Sequence, residues 1–174
     1  MPKHPDDGKC HIDTTSGQAN LTDVSTIEGK WWVTRGVNPH YDSLPCQHNR
    51  YEFDNEAQQW VNNVTWVDAD DRTPKLIGIM PSVTTPYPGY FVHWYPTLNQ
   101  TEPWVVVSKP HEDYMMMLWC GENPVMKYAG GILLSKSKNY ADMPKWVEEE
   151  LRIAVNAHGL DFDKELFIND NSKC

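Results

Sequence analysis

The sequence predicts an all-β protein with one helix, in which an eight-stranded antiparallel up-and-down barrel carries an amphipathic α-helix packed outside. Two observations lead to this class. From Gly29 onward, short runs rich in Trp, Val, Tyr and Thr recur about every ten residues and are separated by clusters of Pro, Asn, Asp and Gly. After these runs the hydrophobic period changes once, to that of a helix.

The apolar runs define the strands. The predicted strands are Lys30–Arg35, Cys46–Phe53, Trp60–Asp68, Lys75–Pro81, Tyr90–Tyr95, Trp104–Ser108, Tyr114–Cys120 and Gly131–Lys136. In the third strand, alternation puts Trp60, Asn62, Val64 and Trp66 on one face and Val61, Asn63, Thr65 and Val67 on the other. A sugar on Asn63 would require the Trp face to point inward.

The helix is predicted over about residues 143–158. Asp142 is the expected N-cap, Pro144 lies in the first turn and Gly159 ends the helix. Its apolar stripe is formed by Trp146, Val147, Leu151, Ala154 and Val155. We therefore expect an irregular N-terminal arm over 1–27 and one domain over 28–174, comprising a barrel at about 29–137, the helix, and a tail at 159–174.

Composition excludes several classes of function. The chain has 174 residues and a formal net charge of −9, which suits one acidic domain and argues against nucleic acid as a partner. No apolar stretch approaches the roughly 20 residues of a membrane helix. The 7 histidines are scattered without ligand spacing, so we expect no bound metal.

The cysteines and the glycosylation sequons indicate the cellular compartment in which the protein folds. Cys10, Cys46, Cys120 and Cys174 form no C-x-x-C pair, which favours two disulfides and an oxidising compartment, with four reduced thiols as the alternative. Asn-x-Thr sequons at Asn20, Asn63 and Asn99 are candidate glycosylation sites. Residues 1–4 do not open a signal peptide, so we expect a mature form that is secreted or, in a photosynthetic source, lies in the thylakoid lumen.

Several motifs carry a resemblance to a known family. Gly29-Lys30-Trp31 is the G-x-W opening of the lipocalins, whose Trp closes one end of the barrel. The stretch 29–39 and the later pieces Tyr41-Asp42, Cys46-Gln47, Tyr51-Glu52-Phe53, Tyr87-Pro88-Gly89, Trp104, Glu112-Asp113-Tyr114, Gly121 with Asn123, Gly130-Gly131, Asp161-Phe162 and Asp170-Asn171 follow in order. Together they resemble the lipocalin domain of the violaxanthin de-epoxidase family. The family's Cys-rich N-terminal and Glu-rich C-terminal regions have no counterpart in this sequence.

The resemblance implies a calyx for a long apolar ligand, a xanthophyll in the family, which is reduced with ascorbate. It implies a Cys46–Cys174 disulfide, leaving Cys10 and Cys120 as a second pair. It also maps a family acid onto Asp42 and its neighbouring amide onto Gln47. A second family Asp is expected near Tyr90–Tyr95, where this sequence has no carboxylate, and a family Tyr falls at Leu118.

Candidate ligand contacts come from the aromatic strands. They are Trp66, His93, Trp94, Tyr95, Met116, Leu118 and Trp119. A polar ligand end at His93 would couple binding to pH. Asp42 has an alternative role as a turn residue, and Met116 as core filler. At the closed end, Lys136 or Lys138 is the cation available to stack on the G-x-W Trp.

Without the second carboxylate, the prediction is binding rather than turnover: a lipocalin that takes up an extended lipophilic ligand, with a carotenoid as the expected one and no other cofactor. The first alternative is an active xanthophyll de-epoxidase that uses ascorbate at acid pH, with Asp42 as proton donor. The second is a bilin-binding or partner-binding secreted lipocalin. Peripheral membrane contact during ligand loading, and a monomer or dimer, are further expectations.

Overall fold

The computed structural model describes residues 21, 23–80, 88–122 and 127–174, with Glu122 and Lys127 described by their backbone alone. In these ranges the chain forms nine strands and two α-helices. The strands are β1 Gly29–Gly36, β2 His48–Asp54, β3 Gln59–Thr65, β4 Lys75–Met80, β5 Tyr90–Tyr95, β6 Gln100–His111, β7 Tyr114–Glu122, β8 Lys127–Ser135 and β9 Phe167–Ile168. The helices are α1 Lys145–Ala157 and α2 Phe162–Glu165.

The first eight strands close into an antiparallel barrel. Each strand pairs with the next, and β1 pairs with both β8 and β2, which closes the cylinder. Alternation sets the two faces: in β5, Phe91, His93 and Tyr95 are buried while Tyr90, Val92 and Trp94 are half-buried. The predicted barrel is confirmed. Strand β6 is longer than predicted, because it starts at Gln100 and continues to His111.

One end of the barrel is closed by the G-x-W tryptophan. Trp31 is 1% exposed, and its indole Nε1 donates to the carbonyl of Ile27 at 2.8 Å. Ile27 ends a 3₁₀ turn, Val24–Ile27, which covers the opening. The ammonium of Lys136 lies 3.7 Å from the Trp31 ring centroid and donates to the carbonyl of Glu28. Of the two predicted cations, Lys136 is therefore the one that stacks.

Helix α1 packs against the outer wall. Its buried residues Val147, Leu151 and Val155 join a cluster with outward-facing residues of β6, β7 and β8. Two details of the prediction are wrong. The N-cap is Pro144, whose ring fixes a φ suited to this position, and not Asp142. Trp146 is 54% exposed, because it lies beside the stripe and contacts His111.

The C-terminal segment is attached to the open end of the barrel. Strand β9 adds to the edge of β1, pairing Ile168 with Arg35 and Phe167 with Gly36. A disulfide joins Cys46 to Cys174, as predicted, with the two cysteines 128 residues apart in sequence. Cys120 is also disulfide-bonded. Cys10, its predicted partner, lies outside the described residues.

The remaining predictions concern the N-terminal arm and the glycosylation sites. Most of the 1–27 arm, with Asn20, lies outside the described residues. The Asn63 amide faces outward and donates to Glu52, and Asn99 lies in the turn before β6 with a φ of 50°. Glycosylation stays a prediction. Within the described ranges, neither helix is long or apolar enough to cross a membrane.

Candidate functional site

A cavity of about 370 Å³ opens at the end of the barrel opposite Trp31. Its rim comes from the loops that follow β1, β3 and β5, because connections in an up-and-down barrel alternate between the two ends. The lining residues are Tyr41, Asp42, Leu44, Gln47, Asn49, Val64, Trp66, Leu76, Tyr95, Leu98, Gln100, Glu102, Trp104, Trp119 and Tyr128. This volume lies at the lower end of the roughly 300–1,000 Å³ typical of small-molecule sites.

Asp42 is held at the cavity wall by three donors. Its Oδ2 accepts from the backbone N–H of Asn38 at 2.8 Å and of Gly131 at 3.0 Å, and its Oδ1 accepts from Trp119 Nε1 at 3.1 Å. A Cβ at position 130 would come 2.7 Å from Oδ2 and closer still to the Trp119 ring, so glycine is required there. Asp42 therefore organises the β1–β2 loop and also lines the cavity, while its role as a proton donor stays a prediction.

The protonation of Asp42 is set by its burial. The residue is 2% exposed, and desolvation raises the pKa of its carboxyl to about 7, although the three donors oppose the rise. Below neutral pH the carboxyl is therefore mostly protonated and can donate a proton into the cavity.

Gln47 completes the loop around Asp42. Its Nε2 donates to the carbonyl of Tyr41 at 3.0 Å, and its Oε1 accepts from the N–H of Leu44 at 3.3 Å. The C-terminal segment supports the same loop from outside, because the Asn169 amide donates to the carbonyl of Asp42 at 2.7 Å. The predicted pair Asp42 and Gln47 is thus brought together in one braced loop.

Glu102 is a second buried carboxyl in the same cavity. It is 6% exposed and accepts from Gln100 Nε2 at 2.6 Å, Trp104 Nε1 at 3.1 Å and the Tyr128 hydroxyl at 3.1 Å. Burial raises the pKa of Glu102 as well, against these three hydrogen bonds. The strand Tyr90–Tyr95 has no carboxylate, as the sequence indicated, and Glu102 lies on the next strand, β6, as a buried carboxyl that the sequence analysis did not single out.

A signal for Glu102 exists in the sequence. Alternation back from Trp104 puts Glu102 and Gln100 on the same inward face of β6. The predicted strand began at Trp104, two residues after Glu102, and this boundary left the carboxylate outside the strand.

The two carboxyls are linked through a stacked pair of indoles. The rings of Trp104 and Trp119 stack at a centroid distance of 5.8 Å, and each indole N–H donates to one carboxyl: Trp104 to Glu102, and Trp119 to Asp42. Tyr41 and Tyr128 both pack edge-on against Trp119 and lie tilted against each other. The site therefore presents acidic groups set in aromatic walls, which suits a planar conjugated ligand with an oxygen at its end.

The structure distributes six of the seven predicted ligand contacts, all except His93, over three regions. Trp66, Tyr95 and Trp119 line the cavity. Met116 and Leu118 belong to the cluster under helix α1, because β7 turns these two side chains outward and turns Met115 and Met117 into the barrel. Trp94 is half-buried on the outward face of β5. The prediction that Trp94, Met116 and Leu118 contact a ligand in the barrel is therefore corrected.

His93 lies inside the barrel next to the cavity. It is 0% exposed, and desolvation lowers its pKa to about 3, so the imidazole is neutral at physiological pH. With its pKa near 3, His93 does not change charge between pH 5 and 8 and so does not couple binding to pH in that range.

An eight-stranded closed cup with a tryptophan plug at one end, a cavity at the other and a helix on its outer wall is a lipocalin. Within that class, the chain belongs to the VDE lipocalin domain family, whose model matches residues 1–171. It is 28% identical to violaxanthin de-epoxidase, chloroplastic, of Nicotiana tabacum and 26% identical to that of Arabidopsis thaliana. All of this chain aligns in both cases, and it spans 37% and 38% of the length of those proteins.

Solved structures agree on the fold. H1 crustacyanin from the lobster Homarus americanus superposes with a TM-score of 0.64 at 20% identity, covering 97% of this chain and 91% of that one. Lobster apocrustacyanin A1 superposes with a TM-score of 0.62 at 18% identity, covering 89% of each chain.

Proposed function

We propose that this chain binds the cyclic end of a xanthophyll in its open cavity and removes an epoxide oxygen from it, with Asp42 as the proton donor. The observation that supports the proposal is the presence of two carboxyls, Asp42 and Glu102, buried in one aromatic cavity. A cup that only sheltered a hydrocarbon would not require them, because burying a carboxyl costs free energy that its hydrogen bonds must offset. Membership of the VDE lipocalin domain family supports the choice of substrate.

The chemistry balances with ascorbate as reductant. A proton from Asp42 moves to the epoxide oxygen as a C–O bond opens, and ascorbate supplies two electrons and two hydrogens overall. The oxygen leaves as water, a C=C bond replaces the epoxide, and ascorbate becomes dehydroascorbate. Because the pKa of Asp42 is about 7, its acid form is available throughout the mildly acidic range, and turnover rises as the pH falls through 7.

Glu102 assists in the same cavity. Burial raises its pKa, and the donors Tyr128 and Trp104 orient its carboxyl. The three disulfide-bonded cysteines of the described residues, Cys46, Cys120 and Cys174, suit an oxidising compartment. A lumenal site in a plastid fits the plant relatives, and secretion is the alternative.

The test is incubation of the purified chain with violaxanthin and ascorbate at pH 5, followed by chromatography of the pigments. We expect loss of epoxide, and we expect Asp42→Asn to lower the rate by a factor of about 100 or more. Glu102→Gln should also lower it. Glu150→Gln, on the exposed side of α1, is the matched control and should leave the rate unchanged.

A second candidate function is xanthophyll binding without turnover. It is favoured by the hydrogen bonds that already occupy Asp42 and Glu102, since such donors also serve a purely structural carboxyl. A shifted pigment spectrum without epoxide loss would select this second function and overturn the first. No spectral shift at all would overturn both.

A further inference from the structure

Asn38 is a buried asparagine at the start of the loop between β1 and β2, four residues before Asp42. Its side chain is 0% exposed and both of its polar atoms are bonded: Nδ2 donates to the carbonyl of Ala129 on β8 at 2.9 Å, and Oδ1 accepts from the backbone N–H of His40 at 3.0 Å. Breaking either bond would leave a buried polar group without a partner, which is costly. The side chain of Asn38 therefore fixes this loop to β8.

The backbone of Asn38 is bonded to Asp42 through both of its polar groups. The Asn38 carbonyl accepts from the backbone N–H of Asp42 at 2.7 Å, and also from that of Tyr41 at 3.2 Å. The Asn38 N–H donates in return to the Asp42 carboxyl, at Oδ2. Because these bonds close the loop on itself, the Asp42 carboxyl keeps a fixed position relative to Asn38.

Strand β8 brings a second donor to the same carboxyl oxygen. Gly131 lies two residues after Ala129, and its N–H donates to Asp42 Oδ2 at 3.0 Å. The Gly131 carbonyl accepts from the N–H of Val37 at 2.9 Å. The loop is thus joined to β8 at two positions. The bond from the Asn38 side chain keeps Asp42 within reach of the Gly131 donor.

The two oxygens of the Asp42 carboxyl are bonded differently. Oδ2 accepts from two backbone N–H groups, those of Asn38 and Gly131. Among the described residues, Oδ1 accepts from Trp119 Nε1 alone. Each carboxylate oxygen offers about two lone-pair sites, so Oδ2 is filled and Oδ1 keeps one free site. In the acid form the proton therefore occupies Oδ1, beside a tryptophan of the cavity wall.

We propose that Asn38 is a positioning residue for the proposed reaction: it keeps two donors on Oδ2 of Asp42 and so leaves Oδ1 as the atom that holds and releases the proton. This inference rests on the proposed function, because it concerns the proton that Asp42 passes to the epoxide oxygen. The O–H bond at Oδ1 breaks in that step, and the charge left on Asp42 is stabilised by its three donors. One of the two protons that ascorbate gives up restores the acid form.

The first test follows the protonation of Asp42 directly, without pigment. Because Trp119 donates to the carboxyl, its fluorescence should change as Asp42 titrates, with a midpoint near pH 7 in the unaltered chain. The other titratable groups described in the cavity wall are Glu102, Tyr41 and Tyr128. Asp42→Asn should abolish the transition, and this difference identifies the part of the signal that belongs to Asp42.

Asn38→Leu keeps the approximate size of the side chain but removes both of its hydrogen bonds. We expect the midpoint to rise by about one pH unit, since weaker donation to Oδ2 disfavours the carboxylate. The matched control is Asn62→Leu, the same substitution at an equally buried asparagine inside the barrel, whose amide has no hydrogen-bond partner among the described residues. This control should leave the midpoint unchanged.

The second test measures turnover of violaxanthin with ascorbate at pH 5, where Asp42 is in its acid form in every variant that keeps it. Asn38→Leu should lower kcat at least about tenfold, because the proton is no longer confined to Oδ1. KM should change by less than about twofold, because Asn38 does not line the cavity. Asn62→Leu should keep both values.

Circular dichroism and thermal melting verify folding, and Asn38→Ser, too short to reach Ala129, is the second variant should Asn38→Leu fail to fold. An unmoved midpoint or an unchanged kcat in a folded variant, even with a lower melting temperature, would show that Asn38 serves only the fold and would overturn the inference. So would the absence of an Asp42-dependent transition in the unaltered chain. If the unaltered chain consumed no epoxide, the proposed function would fall, and the titration would still decide whether Asn38 positions the carboxyl.

Discussion

The closed and open halves of the barrel are built on different principles. The closed half is filled by apolar side chains, among them Trp31, Ile27, Met115 and Met117, all nearly inaccessible to solvent. The open half encloses a cavity of about 370 Å³ and buries two carboxyls beside unpartnered amides. Trp104, Trp119 and Tyr128 belong to both halves, as part of the core and as cavity lining.

The closed half of the barrel contributes most of the stability, and the open half carries the candidate site. The filled half gains from burying apolar surface at close packing. The open half opposes folding, because each buried polar group without a partner costs about 1–3 kcal/mol. The closed half therefore carries the free energy that keeps the site in place.

The largest expected effect tests the filled half. Trp31→Ala should lower the free energy of unfolding by about 3–5 kcal/mol, because it empties a packed position and removes the stacked partner of Lys136. Chemical denaturation measures the change. Leu98→Ala, at the cavity rim with 52% exposure, is the control and should cost under about 0.5 kcal/mol. Equal losses of unfolding free energy in Trp31→Ala and Leu98→Ala would show that the closed half is not the more stabilising one.

The next effect tests the cost of the open half. The pKa of Asp42 is about 7 in the folded chain against 3.8 in the unfolded chain, so the folded state binds more protons between those values. The free energy of unfolding should therefore rise as the pH falls from 7 towards 4, by up to about 4 kcal/mol from this group. Asp42→Asn should flatten that rise, and exposed Asp70→Asn should keep it. If the unaltered chain, Asp42→Asn and Asp70→Asn all showed the same change of unfolding free energy with pH, the raised pKa would not belong to Asp42.

A smaller effect tests the attachment of the C-terminal segment to the site. Replacing Cys46 and Cys174 together by serine should lower the free energy of unfolding by about 2–4 kcal/mol. Because the same segment bonds the Asp42 loop through Asn169, turnover or pigment binding should weaken as well at a temperature where the variant stays folded. Loss of stability with unchanged function would show that the loop does not depend on this attachment.

The smallest effect tests the closure at Trp31. Lys136→Met removes both the cation over the ring and the bond to the Glu28 carbonyl, and should cost about 1 kcal/mol. Lys136→Arg keeps a cation and should cost less. Pigment affinity should not change in either variant, because Lys136 lies at the end of the barrel away from the cavity. A change in affinity would mean that the two halves are coupled.

Much of the fold was predictable because its signals are local. The period of two in runs such as Tyr90–Tyr95 and the helical period around Leu151 each arise within a few residues. Errors came where local signals conflicted with tertiary contacts. Trp146 is apolar but remains exposed, and β6 continues through Pro103 because its neighbours pair on both sides.

The site was predictable only in part. Asp42 and Gln47 follow from the resemblance and lie in one loop, close in sequence. Glu102 was missed because the predicted strand began at Trp104. That it shares a cavity with Asp42 depends on barrel closure between segments some 60 residues apart in sequence. Met116 and Leu118 were assigned to the wrong face, because both faces of β7 are apolar once a helix covers the outer one.

The sequence alone determined the number of barrel strands, the long helix α1 and the tryptophan that closes one end, since each depends on residues that are neighbours in the chain. Only the tertiary structure decided which carboxyls share a cavity, how far burial raises their pKa values, and which polar groups lack a partner. These properties depend on distances and solvent exclusion across strands that are remote in sequence, and they exist only after the barrel has closed.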